Sequence, residues 1–286
     1  METPAILFGA TSIVGYHLAR SFPATVRPFV PPGQRSPSVR GWPTLQLECP
    51  VWIETLFQKQ PPSLLFYCHA VCDVAKCESD PAWAHEVNVH HVDRVMAALP
   101  SHTRLVYVSS DHVFGHDGVY TEASTPCPIS VYGRTRVEAE QLVLTRNNAL
   151  VVRTGLAIGS SPNGRSGHLD WLRYRTGRKL PVTIVQDESR SVVWADDLAA
   201  RLMELAKSQE TGIRHVCATR TVSRVALARH LMSVVLGRDP LFKVESRHQQ
   251  ATPHLGRIEL DSLHDGRLSR PLASVIGGTQ PCMSIG

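Results

Sequence analysis

An α/β fold with a doubly wound parallel sheet is what this sequence predicts, and three observations carry it. The apolar run AILF (5–8) passes at once into GATSIVG and then into a helix through Tyr16 to Arg20, the strand, tight turn and helix that seat a pyrophosphate on backbone amides. Further along, SLLFYCHAV (63–71), RLVYV (104–108) and ALVVRTGLAIG (149–159) are β-branched or aromatic runs suited to buried strands. With the first strand they predict a sheet of the Rossmann type. Residues 160–191 then turn basic and loop-rich, which suits a smaller substrate lobe beyond the strand ends. The expected division is 1–155 for the dinucleotide-binding lobe, completed by about 192–238, with 156–191 and 239–286 forming the second lobe.

Each element has its own signal. ATVRPFV (24–30) reads as the second strand, PPGQRSPS as its loop and LQLEC (45–49) as the third strand. An acidic residue after the second strand would favour the ribose hydroxyl of NAD, yet Arg27, Arg35 and Arg40 are the only charges between Arg20 and Glu48. The balance points to NADP over NAD, with Arg35 for the 2′-phosphate. Asp80 and Pro81 supply an N-cap and an N1 proline for a helix running to about Leu99. After RLVYV, the residues SSD end the strand, and Pro126 and Pro128 hold the chain extended before Tyr132 opens a helix. Tyr132 and Arg136 are four residues apart and share a helix face. A hydroxyl at the strand end (Ser110), a phenol (Tyr132) and a cation one turn on (Arg136) suit proton transfer to or from a carbonyl or alcohol. DDLAARLMELA has helical periodicity with Asp196 or Asp197 near its start, IRHVCA is a short strand, and VSRVALARHLMSVVLG runs from a serine N-cap to a Gly237 stop.

Composition narrows the function. The 286 residues are 43% hydrophobic, enough for a sizeable core. No apolar run reaches the roughly 20 residues that span a bilayer, and METPAILFGA lacks a basic region and a long apolar stretch, so a soluble, cytoplasmic protein is expected. Seven cysteines are scattered, with Cys49, Cys68 and Cys217 in or beside apolar runs as buried reduced thiols are. No second paired cluster joins Cys68, His69, Cys72 and Cys77, so no metal is expected. The formal charge of +5 gathers in two groups, Arg35 with Arg40 and Arg165 through Lys179, without a long basic helix. A dinucleotide and a nucleotide-sugar account for these better than nucleic acid does, with a solvated surface as the plainer alternative for each group.

The stretch from Arg104 to Glu140 resembles the active site of the extended short-chain dehydrogenase/reductases, in the dTDP-4-dehydrorhamnose reductase-like branch. Ser110-Asp111-His112-Val113-Phe114 resembles its Ser/Thr-Asp-aromatic-Val-Phe segment. Tyr132-Gly133-Arg134-Thr135-Arg136 resembles Tyr-Gly-x-x-Lys, with arginine at the lysine position. Gly9 and Gly15 match Gly-x-x-Gly-x-x-Gly, whose middle place holds Ser12. CESDPAWAHEVNV, the segments around Arg153-Thr154-Gly155 and DESRSVVWADDLA, and RIELDSL (257–263) extend the likeness over nearly the whole chain.

The resemblance implies Ser110, Tyr132 and Arg136 as the catalytic group. It implies Gly9, Thr11, Ser12, Ile13, Val14, Gly15, Arg35, Glu48, His69 and Ala70 at the cofactor, together with Tyr132 and Arg136. His69 matches the family's His-x-Ala-Ala, although a core histidine bonded to backbone is its simpler reading. Asn88 is structural. Asp111, His112, Arg173, Arg175 and Arg190 are candidates for the substrate. The implied activity is NADPH-dependent reduction of a nucleotide-linked keto-sugar in carbohydrate biosynthesis. The alternatives are a cofactor-binding regulatory protein without turnover, or an epimerase or dehydratase that keeps its cofactor. A homodimer through helices of the first lobe is compatible with the family.

Overall fold

Residues 4–277 are described in the computed structural model. The chain runs β1 (Ala5–Phe8), α1 (Ile13–Ser21), β2 (Val26–Phe29), α2 (Pro50–Lys59), β3 (Leu64–Tyr67), α3 (Val74–Ser79), α4 (Pro81–His85), α5 (His91–Ala98), β4 (Arg104–Val108) and β5 (Gly118–Tyr120). It continues through α6 (Val131–Val143), β6 (Ala149–Thr154), β7 (Leu156–Ile158), α7 (Gly167–Gly177), β8 (Thr183–Val185), β9 (Ser189–Trp194) and α8 (Ala195–Lys207). The last elements are β10 (Gly212–Val216), β11 (Thr221–Ser223), α9 (Arg224–His230), β12 (Lys243–Glu245) and β13 (Ile258–Leu260).

Six of these strands form one parallel sheet in the order β10-β6-β4-β3-β1-β2. Both faces are apolar because both are covered. Ala5, Leu7, Phe66 and Val106 point into a core shared with α1 and α8, while Ile6, Phe8, Leu65 and Tyr107 point into one shared with α2, α5 and α6. Pro28 is tolerated because β2 is an edge strand. The chain reverses its direction of travel between β1 and β3, so the turns after these two strands part there and leave a crevice above their carboxyl ends.

The second lobe has its own core, in which Leu172, Ile184, Val192, Trp194, Leu227 and Leu231 meet. It holds the sheet β11-β9-β7 and the pairs β12-β8 and β13-β5. Four expectations change. LQLEC forms no third strand: Pro43 has no amide to donate, and pairing stops at a single bridge from Val30 to Thr44, although Leu45 and Leu47 are buried. The run 149–159 is two strands in two sheets, split at Gly155, where a Cβ would come within 2.2 Å of the Ser191 carbonyl oxygen. The basic segment 160–191 contains α7. Within 192–238, α8 and β10 do complete the first lobe, whereas β11 and α9 bury Val222, Leu227 and Ala228 in the second core.

Asp80 caps α4 by accepting from the Trp83 amide at 3.0 Å, as its sequence predicts, but a π-type turn (Glu86–His90) separates α4 from α5. Cys68 and Cys217 are buried; Cys49, at the start of α2, is exposed. Among the described residues no helix is long and apolar enough to cross a membrane.

Candidate active site

The pyrophosphate turn is built on close backbone approach. Gly9 has φ +81°, and a Cβ there would lie 2.3 Å from the His69 amide nitrogen, so only glycine lets the ends of β1 and β3 come together. A Cβ at Gly15 would lie 2.4 Å from the Gly9 carbonyl oxygen. Ser12, at the place of the middle glycine, donates its hydroxyl to Gly9 O at 2.9 Å and accepts from the Gly15 amide at 3.0 Å. It therefore acts as the N-cap of α1. The amides of Ile13 and Val14, in the first turn, have no partner within the helix. Beyond β2, a cavity of about 290 Å³ is lined by Gly33, Arg35, Ser36, Arg40 and Trp42 among others. Ser38 donates to the Pro162 carbonyl at 2.8 Å and Ser36 bonds the same oxygen, which ties this loop to the second lobe.

His69 and Ala70 follow β3 directly. The His69 ring stacks on His91 at 5.6 Å and meets Tyr67 edge-on at 6.3 Å, so its neighbours are rings and not the backbone partner its sequence suggests. Burial, with the nearby His91 and the Arg136 charge, pushes His69 down to about 3, and its imidazole stays neutral. Glu48 is 64% exposed, with Oε1 3.7 Å from His91 Nε2, beside the same stack. Asn88 bonds the Val71 amide at 2.8 Å, the Val71 carbonyl at 3.1 Å and the Thr135 hydroxyl at 3.0 Å. That ties the segment after β3 to α6, a structural task.

The three expected catalytic residues come together. Ser110 caps the turn 111–113, donating to Asp111 Oδ1 and accepting from the His112 amide, each at 3.2 Å. Ser130 caps α6 through the Gly133 amide at 3.0 Å. A Cβ at Gly133 would lie 2.3 Å from the His112 carbonyl oxygen, and this contact sets Tyr132 beside Ser110. Burial raises the Tyr132 pKa; the Arg136 charge and the Ser110 hydroxyl pull against it without cancelling it. The phenol thus keeps its proton at neutral pH.

Arg136 is 2% exposed. Its Nη2 donates to the Val108 carbonyl, its guanidinium lies over the Tyr107 ring at 4.6 Å, and Nε and Nη1 have no partner among the described residues. Two buried donors left free on a cation fit the hydroxyls of a nicotinamide ribose, because an unmade bond at a buried charge is costly. One turn on, Glu140 pairs with Arg153 at 2.7 Å and accepts from the Ser109 hydroxyl at 2.5 Å, so it is already neutralised.

On the substrate side the geometry differs from the sequence reading. Asp111 and Arg190 are buried against each other, with Nε to Oδ2 at 2.8 Å and a second contact from Nη2 to Oδ1. They clamp β9 to the turn after β4, because a buried charge persists only when paired. Arg173 pairs with Asp170, and Arg175 donates to the Pro181 carbonyl at 2.6 Å and covers Trp171. Neither is brought to Tyr132. His112 is: its ring lies 5.1 Å from that of Tyr132, and burial, reinforced by the Arg190 charge, pushes it down to about 3.

Sequence reasoning missed the neighbours of this clamp. Glu188 is buried and lies 3.1 Å from His254 Nδ1 and 3.6 Å from Arg224 Nη1. His168 shares the cluster, with Nε2 buried and without a partner among the described residues. The Asp-Glu-x-Arg-Ser segment was a signal for Glu188. His168 and Arg224 reach it only through the packing of α7 and α9, which carries no local signature.

A protonated phenol and a buried cation with donors to spare, on a sheet whose first strand ends in a glycine turn, are the equipment of the extended short-chain dehydrogenase/reductases. Comparison with known proteins is more specific. The model of the RmlD substrate binding domain matches residues 4–255, and the chain belongs to that family. It is 30% identical over 181 residues to a dTDP-4-dehydrorhamnose reductase of Mycolicibacterium smegmatis, covering 60% of this chain and 54% of that one. It is 29% identical over 248 residues to a protein of the same name from Sinorhizobium fredii, covering 80% and 81%. The chain thus spans about half of the first relative and about four fifths of the second. It is also 30% identical over 160 residues to methionine adenosyltransferase 2 subunit beta of Xenopus laevis, covering 54% of this chain and 47% of that protein. Among solved structures, dTDP-4-dehydrorhamnose reductase of Bacillus anthracis in complex with NADP superposes with a TM-score of 0.78 at 22% identity, covering 91% and 90% of the two chains.

Proposed function

We propose that this chain is an NADPH-dependent reductase of a nucleotide-linked keto-sugar, and that the two lobes divide the work, the first holding the dinucleotide and the second the sugar. The observation that carries the reading is the buried Arg136, with Nε and Nη1 free, one helical turn from a Tyr132 that keeps its proton. Bound NADPH supplies the hydride for the carbonyl carbon. Tyr132 gives its proton to the carbonyl oxygen, so the ketone gains one hydride and one proton and becomes an alcohol. Ser110 orients that oxygen. Arg136 holds the ribose hydroxyls and stabilises the phenolate left on Tyr132.

The turn from Gly9 to Gly15 takes the pyrophosphate on its amides, Arg35 meets the 2′-phosphate in the cavity after β2, and Glu48, His69 and Ala70 border the adenosine half. The relatives named dTDP-4-dehydrorhamnose reductase support a dTDP-linked 4-keto sugar as first choice. With Asp111 and Arg190 paired, His112 and the donors of Arg224 are left to meet the sugar.

The test is to mix the protein with NADPH and a panel of nucleotide-linked 4-keto sugars and to follow the absorbance of reduced nicotinamide. Consumption that depends on the sugar supports the reading; tight NADPH binding with no sugar reduced overturns it. That second outcome would favour a cofactor-binding regulatory protein, the reading that the likeness to a methionine adenosyltransferase subunit keeps open. Conversion of a sugar without net loss of NADPH would favour an epimerase or dehydratase.

A further inference from the structure

Arginine at position 136 is gripped by a surface that the reaction itself does not use. The guanidinium lies over the Tyr107 ring with Cζ 4.6 Å from its centroid, and Tyr107 is fully buried on β4. Tyr67 stands beside it in register on β3, with ring centroids 5.6 Å apart, so Arg136, Tyr107 and Tyr67 follow one another across the sheet face. Neither tyrosine hydroxyl has a partner among the described residues. Tyr107 therefore holds the cation by its ring face, with Tyr67 packed behind it.

We propose that Tyr107 is a positioning residue for Arg136: its ring, with the Val108 carbonyl, fixes the guanidinium beside Tyr132 and makes arginine, and not lysine, the working cation of this site. The kinetic part rests on the reductase reading; the geometric part does not. A planar guanidinium can stack on a ring with one face while its edge donates to Val108 and still presents Nε and Nη1 elsewhere. A lysine ammonium is a strongly hydrated point charge and cannot satisfy a ring, a carbonyl and a ribose from one plane. A lysine restored at this position is therefore expected to lose turnover.

The experiment compares Tyr107→Leu, Tyr107→Met and Tyr107→Phe, each with Arg136 and with Arg136→Lys. It reads kcat and KM, the affinity for NADPH, and the ultraviolet titration of the Tyr132 phenol as the difference from Tyr132→Phe. Tyr107→Leu should lower kcat on the order of tenfold, the scale of a desolvated cation-π contact, and move phenolate formation by Tyr132 to higher pH. Tyr107→Phe, which keeps the ring, should match the parent. Arg136→Lys should lose at least as much as Tyr107→Leu, and adding Tyr107→Leu to it should cost little more.

Tyr107→Met keeps most of the side-chain volume without a ring, so it stands in if Tyr107→Leu fails to fold. The proposal is overturned if the Leu or Met variant behaves as the Phe variant does, or if Arg136→Lys equals the parent. If no sugar is reduced at all, the reductase reading fails on its own. The phenol titration and the NADPH affinity of the same variants then still decide the role of Tyr107.

Discussion

Two opposed influences act on Tyr132 and leave its proton in place, which the proposed reduction requires. Burial raises its pKa, and Arg136 and Ser110 offset only part of the rise. Deprotonation above the ordinary tyrosine value of about 10 removes the acid, so kcat for reduction should stay flat through neutral pH and fall only on the alkaline side. Tyr132→Phe should lower kcat by about 10²–10⁴-fold while the NADPH dissociation constant barely moves, as fluorescence titration would check. Asp111 and Arg190 give a second expectation at this scale. Asp111→Ala removes the hydrogen-bonded partner of a buried guanidinium and leaves it only the Glu188 carboxylate at 3.7 Å, so denaturant unfolding should show a loss of about 3 kcal/mol. Ser110, Tyr132 and Arg136 were legible in the sequence because strand-end and i,i+4 spacing are local. Tyr107 was not, since the use of a strand residue's ring face emerges only when α6 lies across the sheet.

Among the elements, the first strand, turn and helix could be read almost residue by residue, yet the role of Ser12 could not. The resemblance placed Ser12 at the cofactor, but its hydroxyl is occupied by Gly9 O and the Gly15 amide. Ser12→Ala should therefore cost about 1 kcal/mol of stability in thermal unfolding, the usual value of an N-cap, and Ser12→Gly only a few tenths. The run from Ala149 to Gly159 was unreadable for a different reason. Apolar residues continue on both sides of Gly155, and nothing local announces that the chain changes sheets there; the Ser191 carbonyl that crowds Gly155 arrives from 36 residues downstream.

At the scale of the whole molecule, two carboxylates hold distant segments together. Although burial pushes Glu122 up, the amides of Leu263 and His215 and the Ser262 hydroxyl hold it down at about 2. Glu188 is likewise held at about 2, with burial outweighed by His254, Arg224 and Arg190. Both folded values lie below the unfolded value of about 4.3, so their stabilisation is complete above that pH and fades as pH falls towards 2. Acid unfolding followed by circular dichroism should begin within this window. Glu122→Gln should unfold less steeply with pH there, with lower stability at pH 7. The change of composition after residue 159 was visible. The assignment of β11 and α9 was not, because an amphipathic helix does not state which of two cores its apolar face will enter.

The link from Ser36 and Ser38 to the Pro162 carbonyl joins the loop that carries Arg35 to the lobe assigned to the sugar. A dinucleotide that steadies that loop steadies the second lobe as well, and two ligands coupled through one contact obey reciprocity: whatever factor the first adds to the affinity of the second, the second returns. NADP should then tighten nucleotide-sugar binding by the same factor by which the sugar tightens NADP, as calorimetric titration in both orders would measure. Ser36→Ala with Ser38→Ala should bring that factor towards one.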